Sequence, residues 1–427
     1  MSSLASVARR IGEGVMGAET RIREHWPNVP SHVPPGLVRP VDFWNGLGDR
    51  PQEALAKLHD GPRIVYTPYP LYPDGSPGAW VLNKAADIRA TLRDAENFSS
   101  AGRTATAEAI GESWSLIPLE YDPPDHQKYR TLVNQLFGPK MASVLGPKMA
   151  QKAIFYVDKC IALKEFDFVR DFGRLFPAAV FLDLFGLPQD NIGLFLDWER
   201  TILEPDSRPE ERLAALRESS AFLRGLIAER RRRPGDDFVS NVISARVDGV
   251  VLDDDEALGV CWLMFSAGLD TVGTSMGFQF RHLAETPSDQ AALRADPSRI
   301  PAAIEELLAA YAAVNVTRIA ARDVDIDGVT IKKGETVICP LSLGARDPDE
   351  VQDPGKIDIF RVPRRQVAFG FGPHLCVGAA LARREIATAL ETWLRKAPPF
   401  KLKEGTNVPV HGGFVLSVKS LPLVWVS

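Results

Sequence analysis

Cysteine is scarce in this chain. Cys160, Cys261, Cys339 and Cys376 are all it has in 427 residues, and their uneven spacing forms neither a disulfide framework nor a zinc pattern. A reducing compartment, the cytoplasm, is therefore expected. Long apolar runs are missing too: none approaches the ~18 uninterrupted residues of a membrane span, and no secretion-type apolar stretch follows Met1. No membrane anchor is expected. Positive charge is not in excess: 50 Lys and Arg against 55 Asp and Glu leave a net charge of −5 and a pI near 5.9, without the basic footprint of a nucleic-acid binder. Small-molecule chemistry fits this balance better. Internal repeats and low-complexity segments do not occur either.

What is present is enough apolar residue, 45 %, to bury a large core. Length alone allows two or three domains, or one large one. Residues 1–40 read as an N-terminal arm and extended lead-in. Met1 to Trp26 carries Arg9, Arg10, Arg21 and Arg23 on a helix that can be amphipathic, and Pro27 to Pro40 holds five prolines, too many for a helix. Residues 41–427 read as a single, mostly helical domain with a small β-rich region. Arg63 to Tyr66 and Ala79 to Leu82 form a hairpin around the turn material Asp74 to Gly78. Asn191 to Leu203 and Glu210 to Arg233 are two helices joined by Glu204 to Pro209. The charge run Glu229 to Arg233 suits a solvated helix end at the negative pole of the dipole. Asp253 to Leu283 is the longest helical stretch, capped by its opening acidic residues. Gly412 to Val415 and Leu421 to Val426 read as closing strands.

Three places carry chemistry. The first is Phe369-Gly-Phe-Gly-Pro-His-Leu-Cys-Val-Gly378, which presents Cys376 just ahead of a helix from Ala379 to Leu394. A thiolate needs solvation, and free backbone N–H groups at a helix start, with the positive end of the dipole, supply it. Gly372 and Gly378 let the backbone lie close to a flat cofactor. Phe369 can shield the sulfur and His374 can reach a carboxylate. On spacing alone Cys376 is a candidate metal ligand, the plain alternative being a buried free thiol, as for the other three cysteines.

The second place is Asp122-Pro-Pro-Asp-His126, where Asp122 caps a helix that Pro123 opens, with His126 and Arg130 on one face. These are donors for a buried carboxylate, or a solvated polar face. The third is Ala267-Gly-Leu-Asp-Thr271 in mid-helix, where a glycine and a back-bonding hydroxyl weaken the ladder and are expected to open a bulge. Close packing through Gly273, Ser275 and Gly277 is the structural alternative.

Together these segments resemble the cytochrome P450 superfamily from about Pro123 to Trp425. The likeness is greatest to the soluble camphor hydroxylase group, through Gly268-Leu-Asp-Thr-Val272, His374-Leu-Cys376, Leu381-Ala-Arg-Arg-Glu-Ile386 and Leu421-Pro-Leu-Val-Trp425. The resemblance implies haem b, with iron held by the Cys376 thiolate, between the long central helix and the cysteine loop. Phe369, Gly372, His374 and Gly378 lie around it, as do Ala267 and Gly268, and His126, Arg130 and Arg318 serve the propionates. It further implies that Asp270 and Thr271 relay protons during O2 activation, with external electrons from NAD(P)H. A [2Fe-2S] ferredoxin is expected on the thiolate face, near Lys128, Arg130, Arg364 and Arg383, since no flavin or iron–sulfur segment is seen in the chain. The helix pair from Asn191 to Arg233 corresponds to a movable roof.

A monomer acting on a small apolar terpenoid or norisoprenoid is expected. The pocket implied by the camphor pattern is Trp114, Leu119, Leu263, Ala267, Val314, Phe414 and Val415, with Trp114 bringing an indole N–H where that group has a tyrosine. A peroxide-driven peroxygenase and a non-catalytic haem or ligand carrier are the alternatives. One departure stands out: the family's Glu-x-x-Arg reads Glu306-Leu-Leu-Ala309, which leaves Arg361 to meet Glu306.

Overall fold

A computed structural model describes residues 25–71, 76–102, 104, 106–137, 139–204 and 207–426. All but the last two residues of the expected N-terminal helix, the start of the Asp74 to Gly78 turn and part of the Glu204 to Pro209 connection lie outside them. The chain is mainly helical with small sheets, as expected. It divides into two compact units. One comprises Met1–Ser99, Val314–Gly355 and Val410–Leu416, and the other Ser100–Ala313, Lys356–Pro409 and Ser417–Ser427.

The first unit is built on a five-stranded sheet of β1 (Ile64–Thr67), β2 (Ala79–Leu82), β3 (Phe98–Ser99), β4 (Asn315–Ala320) and β5 (Thr336–Pro340), in the order β1-β2-β5-β4-β3. β1 and β2 form the expected hairpin, with Tyr66 opposite Trp80. Both are buried along their whole length, which is why they read as continuous apolar runs without alternation. Arg318 of β4 stands opposite Val337 of β5. Gly412 to Val415 is not a strand. Val415 makes a single bridge to Val314, and the Asn315 side chain donates to the Gly413 carbonyl at 2.7 Å. Gly412 runs so close to Phe43 that a Cβ there would lie 1.9 Å from the Phe43 carbonyl oxygen. Regular pairing yields to this crowding.

The second unit is helical: α1 (Asp125–Leu136), α2 (Pro139–Ile161), α3 (Leu175–Leu184), α4 (Ile192–Leu203), α5 (Pro209–Arg232), α6 (Phe238–Ser244), α7 (Asp254–Glu285), α8 (Pro287–Ala295), α9 (Ile300–Ala310) and α10 (Ala379–Lys396). α7 runs through its middle and opens on a capping box in which Asp253 accepts from the Glu256 N–H and Glu256 returns the bond. It is long and apolar enough to cross a membrane, yet 72 % of its most apolar stretch is buried inside the protein. Rings pack against it, among them Phe168 on Phe280 at 4.0 Å between centroids. α1 begins at Asp125 and not at Asp122, whose carboxylate instead accepts from the Ser100 N–H at 2.9 Å. The helix therefore starts without the expected side-chain cap.

Candidate functional site

The residues before α10 fold back on themselves. Gly370 and Gly372 take φ of 80° and 71°, a region other residues avoid, and the Cys376 N–H donates to the Phe369 carbonyl at 2.9 Å. This double bend leaves the sulfur at the mouth of α10. Three cysteines are buried, whereas Cys376 is exposed. Protein nevertheless crowds its sulfur, and burial pushes the thiol up; the amides of Gly378 and Ala379 and the charges of Arg130 and Arg383 pull it back. A Cβ on Gly378 would sit 3.8 Å from the sulfur, in ordinary contact with it. Among the described residues no group of three His, Cys, Asp or Glu side chains could hold a metal, so the protein offers an iron one thiolate and no cage. Such a donor set fits a metal that brings its remaining ligands in a flat macrocycle.

Donors for an anion stand nearby. His126 is 1 % exposed, and its ring lies 4.1 Å from that of His374. Arg130 is half-buried, donates to the Pro373 carbonyl at 3.3 Å and makes no ion pair among the described residues. Arg383 lies 4.5 Å from the centre of the Phe369 ring and binds Glu305 with Nη2 at 3.0 Å. Arg318, in the other unit, is buried and donates to its neighbour's carbonyl at 2.8 Å.

The midpoint of α7 holds the other residues expected of the site. The helix is buried on either side of Ala267, but Ala267 itself is exposed, and Thr271 follows it four residues on. The expected bulge is absent: α7 is helical throughout. The Thr271 hydroxyl does donate to the Ala267 carbonyl, at 2.8 Å, and the carbonyl's second lone pair lets it do so without displacing the ladder. Gly273, the small residue of the structural alternative, is packed: a Cβ there would meet the Gly173 carbonyl oxygen at 2.5 Å. Asp270 turns its carboxylate inward, where it accepts from the Thr274 hydroxyl at 3.2 Å and is raised by burial.

Residues 201–419 match the family described as Cytochrome P450. "Probable cytochrome P450 127A1" of Sinorhizobium fredii is 40 % identical over 93 % of this chain and 97 % of its own length. The chain belongs to the cytochrome P450 family. Cytochrome P450-SU2 of Streptomyces griseolus is 34 % identical, over 82 % of this chain and 89 % of its own. Among solved structures, cytochrome P450 CYP101C1 superposes with a TM-score of 0.83 at 33 % identity, covering 93 % of this chain and all of the other. A cytochrome P450 is a haem-thiolate monooxygenase: it carries haem b on an axial cysteine thiolate and uses O2 and electrons from a reductant.

The departure from the P450 pattern at Ala309 is compensated locally. Glu306 is buried, Arg361 reaches it at 3.2 Å, Arg364 at 3.5 Å, and the Asp358 N–H donates to it at 3.1 Å. Arg361 therefore does not act alone, and Arg364 is drawn out of the expected basic patch. That patch is largely neutralised: Lys128 binds Asp125 and Asp248 at 3.3 and 3.1 Å, and Arg383 binds Glu305.

Of the proposed pocket residues, Trp114, Leu119, Leu263 and Ala267 fall in the helical unit, and Val314, Phe414 and Val415 in the sheet unit. The Trp114 indole is not free for a substrate, because it donates to Glu112 at 2.6 Å, and Arg224 holds Glu112 at 2.6 Å. Phe414 packs edge-on against Trp44. Among the buried carboxyls that went unread in the sequence are Glu199 and Glu385. Glu199 meets its arginine across 25 residues, a separation that leaves no local signal. Glu385 sits inside Leu381 to Ile386, where the helical spacing of its apolar neighbours was the available clue.

Proposed function

We propose that Cys376 is the axial ligand and that this P450 inserts one oxygen atom from O2 into a small apolar substrate, a terpenoid or norisoprenoid, as a cytoplasmic monomer. NAD(P)H supplies the electrons through a reductase and a [2Fe-2S] ferredoxin. The observation that carries this reading is the pairing within one unit of an exposed, amide-solvated thiol with an open stretch, exposed at Ala267 and half-buried at Thr271, on an otherwise largely buried helix.

Haem on a thiolate supplies the activation of dioxygen and the transfer of oxygen. The chain's own residues do the rest. The Gly378 and Ala379 amides and the Arg130 and Arg383 charges favour the thiolate against the burial that raises the thiol, and a bound iron would complete the deprotonation. His126, Arg130 and His374 would hold the propionates of a bound haem; Arg318 lies in the other unit. Ala267 would leave room for haem and dioxygen, Thr271 would offer a hydroxyl, and Asp270 would deliver protons. Apolar Leu119 and Leu263, with Trp114, would exclude water and bind substrate by burial.

The peroxygenase alternative lacks a motivating feature, since Asp270 and Thr271 form an acid–alcohol pair suited to O2. Turnover separates the readings. With ferredoxin and reductase, NADH oxidation should match hydroxylated terpenoid product; turnover with peroxide alone would replace this reading with the peroxygenase, and no turnover with either would leave a carrier.

A further inference from the structure

Asp270 has a carboxyl neighbour that the monooxygenase reading leaves without a task. Glu199 of α4 is 6 % exposed, and Arg174, at the N-cap of α3, donates from Nη2 to its Oε2 at 2.6 Å and to the Leu196 carbonyl at 3.4 Å. The same stretch of backbone presses on α7 beside Asp270. A Cβ on Gly273, three residues on and on the same side of the helix, would lie 3.8 Å from Arg174 Cα. Three elements therefore bring their charged groups to one place.

The groups facing Glu199 are Asp270 from α7, Arg174 from the start of α3, and Lys419 from the C-terminal segment, which also lies 3.7 Å from Glu204. Burial first, and the Asp270 charge second, push Glu199 up to about 7, against the pull of Arg174 and Lys419. Asp270 is raised by burial against the same two cations. Two carboxyls in this position take up protons as a unit. Arg174 is 32 % exposed and Lys419 31 %, so the cluster opens to water on the side of these two cations.

We propose that Glu199 is a positioning residue of the proton relay, holding the proton that reloads Asp270 and drawing its replacement from solvent beside Arg174. After Asp270 gives a proton toward Thr271, the Glu199 proton passes to the Asp270 carboxylate. Glu199 is left as a carboxylate paired with Arg174, and a proton from bulk water restores it. No electron moves and no bond other than O–H is made or broken. The inference rests on the Asp270–Thr271 relay proposed above.

The test is an infrared titration of carboxyl groups in the purified ferric holoenzyme without substrate, read beside the pH profile of product formation. Wild type should show a protonated-carboxyl band titrating near neutral pH. Glu199→Gln should remove the component with a midpoint near 7, Glu385→Gln only the separate component of Glu385 near 8, and Asp270→Asn should move the first midpoint down by about one unit or more, because a like charge beside Glu199 is gone. The pH profile should lose its neutral limb in Glu199→Gln and regain it in Glu199→Asp. A component near 7 that survives Glu199→Gln, or a midpoint indifferent to Asp270→Asn, overturns the inference and leaves the relay standing. Full coupling of NADH to product in Asp270→Asn overturns both.

Discussion

The thiol of Cys376 meets opposing influences of known sign: crowding by protein raises it, while two amides and two arginines lower it. A bound iron tips this balance toward thiolate, because a coordinating thiol is deprotonated outright. Glu385 has no such help. It is buried, its Oε2 has no hydrogen-bond partner among the described residues, and burial raises it to about 8. A carboxyl raised in the fold lends stability that is complete below its unfolded value, near 4.5, and is lost as pH climbs toward about 8. Glu385→Gln should flatten the fall in unfolding free energy, read from urea titrations, between pH 5 and 8, by up to roughly 4 kcal/mol across the window at 1.36 kcal/mol per unit. A mutant curve parallel to wild type would show that Glu385 is already ionised.

Trp114 gives a second prediction at this scale. Its indole is occupied by Glu112, so Glu112→Ala should free the N–H and tighten a ketone over the matching hydrocarbon by about 0.5–1.5 kcal/mol. Equal spin-shift affinities for the two ligands would place Trp114 outside the pocket. The cysteine loop was legible in the sequence because its determinants, two glycines in left-handed conformation and a helix start, lie within ten residues of Cys376. The Trp114–Glu112 bond was not, although only two residues apart, because spacing says nothing of where a loop side chain points.

Among the elements, α7 was read correctly at its acidic start, where the capping box is a local pattern, and incorrectly at its centre. A back-bonding threonine was present as expected, but the packing of Gly273 against Gly173 and of Gly268 against Phe181 holds the helix straight around it. Tertiary contact decided between two readings that the sequence allowed. The same is true of α9. The missing arginine after Glu306 suggested a weakened site, yet two arginines of the segment before the cysteine loop converge on this carboxylate. Removing one should be tolerated and removing both should not. Arg361→Ala is expected to cost about 1–2 kcal/mol, and Arg361→Ala with Arg364→Ala about 3–5 kcal/mol, the cost of an uncompensated buried charge. Melting temperatures of the holoenzyme check this. A double variant no worse than the single would mean that the Asp358 amide is partner enough.

For the whole molecule, composition pointed away from nucleic acid and toward a large apolar core, and the fold shows that core. Where charge pairs form could not be read from composition. Lys128, Arg364 and Arg383 each face carboxylates, so the surface proposed for the ferredoxin carries less field than the count of its cations suggests. Raising ionic strength should therefore slow the first electron transfer only weakly, and Arg383→Glu should lower the melting temperature along with the rate by unpairing Glu305. A steep salt dependence with unchanged melting would restore the basic patch.

All of these expectations depend on iron being held by the thiol at the start of α10. The direct measurement is the carbon monoxide difference spectrum of the reduced protein, compared between wild type and Cys376→Ser. The wild type should give the red-shifted band of a thiolate-ligated haem, and the variant should lose it while keeping its helical content. A red-shifted band in Cys376→Ser would contradict the account.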